Sequence, residues 1–347
     1  MKRARIGVIG AGWWAALSHL PTLKANPDCE VVAISRLGAA ELEQVRSAFG
    51  VPLGFEDAQE MLRRVELDGA IVSSPHVLHH EHAIAAIEAG CHVLVEKPLA
   101  TKAADAREIV ARAQAHGREV IIPHGWNFTF WTERARSLVA SGRIGRIEHV
   151  VLQMASALDD LFAGQPMQET ADHMFRPPPS TWADPARAGG YGWGQLVHAL
   201  GLMFRITDLR PHSVFAMTGR SQAGVDFYDA AALRFACGAT AAVSGAATVP
   251  KHRGFQLDLR LFGSEGILLL DIERARLELR RRDGADVVEP ITDSDTAYRC
   301  VAPVNALVDI CLGRPALNAA PGETGLRAVE VLDALYRSAA SGRIEEI

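Results

Sequence analysis

Paired cysteines are missing from this 347-residue sequence: Cys29, Cys91, Cys237, Cys300 and Cys311 are odd in number, widely spaced and never in a C-x-x-C pattern. That sets aside a disulfide framework and a thiolate zinc site, and leaves reduced thiols in a cytoplasmic protein as the expectation. Long apolar runs are lacking too. None approaches the roughly 18–20 residues that span a bilayer, so no membrane partner is expected. Neither sign of charge dominates, with 36 Lys and Arg against 41 Asp and Glu and a formal net charge of −5. Such a balance leaves no footprint for nucleic acid. Internal repeats and low-complexity tracts are also absent.

What remains is an ordinary globular composition, 48% hydrophobic and 22% charged, on a chain long enough for two domains. Lys2, Arg3 and Arg5 ahead of the apolar run Ile6 to Leu17 superficially look like a signal peptide. Gly7, Gly10 and Gly12 interrupt that run and suit a nucleotide loop better. Arg5 to Ile9 has a buried-strand pattern, Gly10-Ala11-Gly12-Trp13-Trp14-Ala15 follows at once, and a helical pattern continues through Leu17, Leu20 and Leu23. This is G-x-G-x-x-A in strand-loop-helix context. Gly10 permits the tight turn, Gly12 lets the backbone approach a pyrophosphate, and Ala15 lets the helix pack on the strand. Trp13 and Trp14 join the expected cofactor contacts.

The next strand, Glu30 to Ile34, ends in Ser35-Arg36, where the fingerprint expects an acid for the ribose of NAD. A guanidinium there binds a 2′-phosphate through charge-assisted hydrogen bonds, so the cofactor expectation is NADP in preference to NAD. Arg36 stacked on adenine, compatible with either, is the alternative. Strand and helix patterns then alternate: strand Gly69 to Ser73, helix His79 to Ala89, strand His92 to Val95, helix Lys102 to His116, strand Glu119 to Ile122. The alternation predicts a Rossmann-type doubly wound parallel sheet over residues 1–123.

Two strand ends face one crevice, Ser74-Pro75 and Lys97-Pro98, and Ser74, Pro75, His79, Glu96 and Lys97 complete the expected cofactor contacts. Proline fixes the residue before it in an extended or turn conformation, so Lys97 is held at a strand end beside Glu96. It either works on a substrate hydroxyl or is a surface lysine. His76, His79, His80 and His82 are crowded but lack a matched acidic or cysteine ligand set, and no metal is expected.

After His124 the alternation stops. Residues 124–347 are read as a second domain: helix Glu133 to Ser141, strand Arg146 to Met154, a long irregular region Ala157 to Gly190, and a buried helix from Gln195 carrying His198. Strands follow at His212 to Thr218, Asp229 to Ala236, Ala239 to Ala247, Phe255 to Phe262 and Gly266 to Ile272, then an amphipathic helix Glu323 to Ser341. Leu257, Leu259 and Leu261 alternate with Gln256, Asp258 and Arg260, which predicts a largely antiparallel sheet with one face on a core. Trp126, Asn127, Trp182, Tyr191, Trp193 and Gln195 suit the lining of a polyhydroxylated ligand's site, or packing.

Four stretches carry a family resemblance: GAGWWA, SSPHVLHHEHAIAAIEAGCHVLVEKPL, the turn Gly142 to Gly145, and GETGLRAVEVLDALYRSAASGR. On these the chain resembles the glucose-fructose oxidoreductase / inositol dehydrogenase / MocA (Gfo/Idh/MocA) family nearly end to end. The resemblance implies a Rossmann domain and a C-terminal α/β domain with an open, mostly antiparallel sheet. It further implies NAD(P)-dependent oxidation or reduction of a sugar, cyclitol or relative, in a homodimer or homotetramer. Lys97 would contact the reacting hydroxyl and His198 would act as acid/base. One position departs: family members commonly carry aspartate four residues before that histidine, and this chain has Gly194. Lys97 and His198 then suffice, or Asp172 or Asp184 substitutes, or redox chemistry is lost. Imidazole titrates near neutrality unaided, which favours His198 as proton acceptor and Lys97 as a fixed cation over a developing alkoxide. The rival functions are a lyase or hydrolase with no net redox change, and a non-catalytic nucleotide sensor.

Overall fold

In the computed structural model, which describes residues 2–292 and 297–347, the first apolar run becomes strand β1 (Ala4–Ile9), buried at five of its six positions. Packing divides the chain into two units. The first comprises residues 1–125, 166–181 and 299–326; the second comprises residues 126–165, 182–298 and 327–347.

Among the described residues, the first unit's sheet has six strands: β1, β2 (Cys29–Ser35), β3 (Leu53–Phe55), β4 (Gly69–Val72), β5 (His92–Val95) and β6 (Val120–Ile121). Their order is β3-β2-β1-β4-β5-β6, with every pair parallel. Helices cover both faces of such a sheet, which is why β4 reads as an unbroken apolar run and is buried at all four positions. The strand order reverses between β1 and β4, so a crevice opens at their carboxyl ends. Helices Ala39–Phe49 and Ala58–Arg64 and strand β3 fill the β2–β4 connection, which the sequence pattern left unassigned.

The helix after the glycine loop differs from the expected regular one. It begins as a π-turn, Ala15–His19, and becomes α-helical only at Leu20–Ala25. Pro21 cannot donate the amide that a regular ladder needs at that point, and a widened turn accommodates the loss.

The second unit is built on a sheet whose order is β14-β13-β12-β11-β7-β10-β9-β8-β15 among the described residues. The strands are β7 (Ile147–Ala155), β8 (Pro211–Arg220), β9 (Asp226–Phe235), β10 (Thr240–Ala246), β11 (Gln256–Gly263), β12 (Gly266–Asp271), β13 (Arg276–Arg281), β14 (Val287–Pro290) and β15 (Glu345–Glu346). Only the β7–β10 pair is parallel; the others run antiparallel, as expected. Leu257, Leu259 and Leu261 are buried and Arg260 exposed, so the alternating pattern marks the core face correctly. No helix among the described residues is long and apolar enough to cross a membrane.

Candidate active site

Three strand-end loops of the first unit meet at the crevice. Gly10 adopts a φ of +78°, and its amide and that of Ala11 both donate to the carbonyl of buried Ser35, at 2.9 and 3.0 Å. A Cβ on Gly10 would lie 2.5 Å from the Ser74 amide nitrogen and Cα, so the loops after β1 and β4 touch backbone to backbone. At Gly12 a Cβ would meet only the flexible end of Arg36, at 3.4 Å, and the Gly10 carbonyl at 3.8 Å. Arg36 Nη1 donates to the Ala11 carbonyl at 3.3 Å, whereas its Nε is buried without a hydrogen-bond partner. Burial also lowers its pKa. A glycine cradle open to backbone approach at the start of a helix, and a half-buried guanidinium whose Nε has no partner, fit a dinucleotide phosphate.

Histidines pin these loops together. His79, fully buried, places Nδ1 2.6 Å from the Pro98 carbonyl and Nε2 2.8 Å from the Ser74 carbonyl. Both partners only accept, so the neutral ring donates to one and the protonated ring to both. His82 Nδ1 is 2.9 Å from Ser74 Oγ, His80 Nε2 is 3.0 Å from Glu108, and His76 lies edge-on to His79. Pro75 caps the short turn His76–Leu78. Among the described residues no group of three or more His, Cys, Asp or Glu could hold a metal.

Lys97 is 9% exposed at the end of β5, so the surface-lysine alternative does not describe it. Burial drives its ammonium down to about 8, against the upward pull of Glu96 and Cys300. Glu96 is buried, which raises its pKa, but a 2.8 Å hydrogen bond to His19 and the charges of His19, Lys97 and His79 outweigh this and keep it low. His124, buried within reach of the Lys97 charge, falls to about 3 and stays neutral. The sequence pattern singled out neither His19 nor His124. A histidine four residues past Ala15, on the helix that the glycine loop opens, was the one available signal for His19.

In the second unit His198 is 4% exposed on helix Val197–Ile206, with Trp126 and Tyr298 edge-on to it at 6.0 and 4.9 Å. Asn127 Nδ2 donates to the Gly201 carbonyl at 3.1 Å, and Trp182 packs edge-on to Phe162. Tyr191 is wholly buried with its hydroxyl 3.0 Å from Ser156 Oγ; Trp193 stacks on Tyr336. Gln195 is buried in the π-turn Gly192–Leu196 that opens the His198 helix.

Gly194 sits in that π-turn, and a Cβ there would lie 2.8 Å from two ring carbons of Phe162 and 3.2 Å from Trp182. Aromatic rings therefore fill the space that a side chain at position 194 would need. Asp184 is committed to capping Ala186, at 2.9 Å, and Asp172 is exposed. The carboxylates packed under the helix start are others. Asp226 accepts from the Gly192 amide at 2.7 Å and the Tyr336 hydroxyl at 2.8 Å. Burial, then the Asp226 charge, push Asp229 well above the usual carboxylate range. Gly194→Asp is accordingly expected to cost about 2–5 kcal/mol, from overpacking and an unpartnered carboxylate, and not to raise turnover. A variant of native thermal stability that turns over faster would show the rings yield.

Two family descriptions match the chain: an oxidoreductase family with an NAD-binding Rossmann fold (Gfo/Idh/MocA) over residues 4–124, and the Gfo/Idh/MocA C-terminal domain over residues 132–269. The 1-carboxy-3-chloro-3,4-dihydroxycyclo hexa-1,5-diene dehydrogenase of Comamonas testosteroni is 29% identical over 216 residues, 62% of this chain and 50% of that enzyme. The match thus spans about half of that relative's length. D-xylose 1-dehydrogenase (NADP(+)) 2 of Haloferax volcanii is 26% identical over 345 residues, 98% of this chain and 99% of its own. The solved structure of GenD2 from gentamicin A biosynthesis, in complex with NAD, superposes with a TM-score of 0.79 at 24% identity, covering 100% of this chain and 97% of that one, which shows the shared fold. With both family domains on one chain and a glycine cradle at the strand-order reversal, the protein belongs to the Gfo/Idh/MocA family of NAD-binding Rossmann-fold oxidoreductases.

Proposed function

We propose that this protein interconverts a secondary alcohol and a ketone on a sugar, cyclitol or related polyhydroxylated compound, with NADP(H) preferred over NAD(H). The observation that carries the reading is Lys97: buried at the carboxyl end of β5, beside Glu96, which His19 ties to the glycine-loop helix. A bound nicotinamide supplies the acceptor or donor of a hydride. Lys97 holds and releases the hydroxyl proton, because burial brings its ammonium to about 8, where a side chain exchanges protons near working pH. This gives lysine the role that unperturbed imidazole would otherwise take. His198, as the family resemblance implies, is the second acid/base, and Trp126 and Gln195 contact the substrate. Arg36 takes the 2′-phosphate: its buried Nε lacks a partner and its burial disfavours an uncompensated cation. The name of the full-length Haloferax volcanii relative, an NADP(+) xylose dehydrogenase, supports both the cofactor and the substrate class.

The test is a panel of pentoses, hexoses and cyclitols with NAD⁺ or NADP⁺. Net formation of reduced nicotinamide is expected. Product without net cofactor change would make the protein a lyase or hydrolase, and binding without turnover a sensor. Arg36→Ala should weaken NADPH by about 10–100-fold, the worth of a charge-assisted pair, and NADH by no more than about threefold. Equal losses for both cofactors would remove the NADP assignment.

A further inference from the structure

Residues 166–181 leave the middle of the second unit's sequence yet belong by their contacts to the first unit. Two of their side chains grip the dinucleotide cradle. Trp13, in the turn of the glycine loop, donates its indole N–H to His173 Nδ1 at 3.0 Å, and the two rings lie nearly parallel, 20° apart. Phe175 presents its ring to Arg36, whose guanidinium carbon stands 3.9 Å from the ring centroid. Arg36 is thus held by its edge to the Ala11 carbonyl and by its face to Phe175. Met167, Thr170, Pro177 and Thr181 are buried and anchor the segment on either side of these contacts. One anchor lies at the start of the loop's helix and the other at the end of β2, so the segment bridges the loop from side to side.

We propose that residues 166–181 form a strap that clamps the nicotinamide dinucleotide, with His173 and Phe175 as cofactor-retaining residues that set how slowly it leaves. This rests on the dinucleotide reading given above. Trp13 fixes His173 as the tautomer protonated on Nε2, because Nδ1 accepts, so the unprotonated nitrogen faces the loop. Phe175 covers a guanidinium face with a ring, an arrangement that strengthens as water is excluded. A cofactor seated on the loop has to part at least one of these two contacts to escape. Release is then limited by the strap, as lid opening limits turnover in many enzymes.

Release is measured by stopped-flow displacement of NADPH, and separately NADH, read through energy transfer from protein tryptophan, on the intact wild type, Phe175→Leu and His173→Ala. Leucine keeps Phe175 apolar, and circular dichroism with thermal unfolding checks that both variants are folded. Dissociation is expected to quicken about tenfold in Phe175→Leu and severalfold in His173→Ala. Dissociation rates within twofold of wild type in both folded variants would overturn the strap and leave the cofactor reading standing. If the wild type binds neither reduced nicotinamide, the functional reading falls and the strap with it.

Discussion

Lys97→Met should lose at least about a thousandfold in kcat, while the folded protein gains up to about 3 kcal/mol of stability at pH 7. Both effects have one cause. Burial holds the Lys97 ammonium near 8 where an exposed lysine would stand at 10.5. Between those two pH values the unfolded chain binds the proton and the folded protein does not, so stability rises with pH across that window. Below pH 8 the folded state bears the full cost of a buried cation, and methionine of similar length removes it. Glu96 keeps its hydrogen bond to His19, so the variant leaves no carboxylate stranded. Cofactor affinity should stay near native. Denaturant unfolding of both proteins at several pH values checks the first half: their difference should be largest at pH 7 and shrink towards pH about 10.5. Kinetics check the second half. Alcohol oxidation by the wild type should rise through pH about 8 as Lys97 becomes a proton acceptor. Lys97→Arg, whose guanidinium does not deprotonate, should not recover that limb. A methionine variant that turns over at the native rate would remove Lys97 from the chemistry, and one less stable than the wild type at pH 7 would overturn the buried-cation cost.

The same lysine shows how far the sequence can be read. Its place at a strand end follows from an apolar run stopped by Pro98, and its neighbours on β1 and β4 are legible for the same reason. Strands buried on both faces leave no room for polar residues, so they announce themselves as runs. Alternation was equally plain along β11. Strand β13, Arg276–Arg281, alternates as cleanly but carries four charged residues among six, and its apolar positions are too few to stand out. Helix Val301–Cys311 hides behind Pro303 in its first turn, where a missing amide costs nothing. The partners that tune the site are another matter. His19 reaches Glu96 across 77 residues and His173 reaches Trp13 across 160, and no periodicity encodes such a meeting. Gly194 is the sharpest case. As a letter it reads as a lost acid; in the fold it is the one residue that leaves Phe162 and Trp182 their space.

Glycines in the cradle do two different jobs, and a pair of alanine variants should separate them. Gly10→Ala meets the backbone of Ser74 at 2.5 Å and needs a left-handed φ of +78°. Neither a buried main chain nor a strained φ yields cheaply, so a loss of about 2–4 kcal/mol is expected. Dinucleotide affinity should fall by about a hundredfold or more as the loops after β1 and β4 part. Gly12→Ala adds its methyl group against the movable end of Arg36, at 3.4 Å. Stability there should hold to within about 0.5 kcal/mol. Affinity for NADPH should still drop at least about tenfold, because the added carbon stands where a pyrophosphate must approach the backbone. Thermal unfolding and NADPH titration of the two variants give the contrast directly. Were Gly12→Ala to bind NADPH as tightly as the wild type, the loop would be a structural turn, and the phosphates would have to be held elsewhere in the unit.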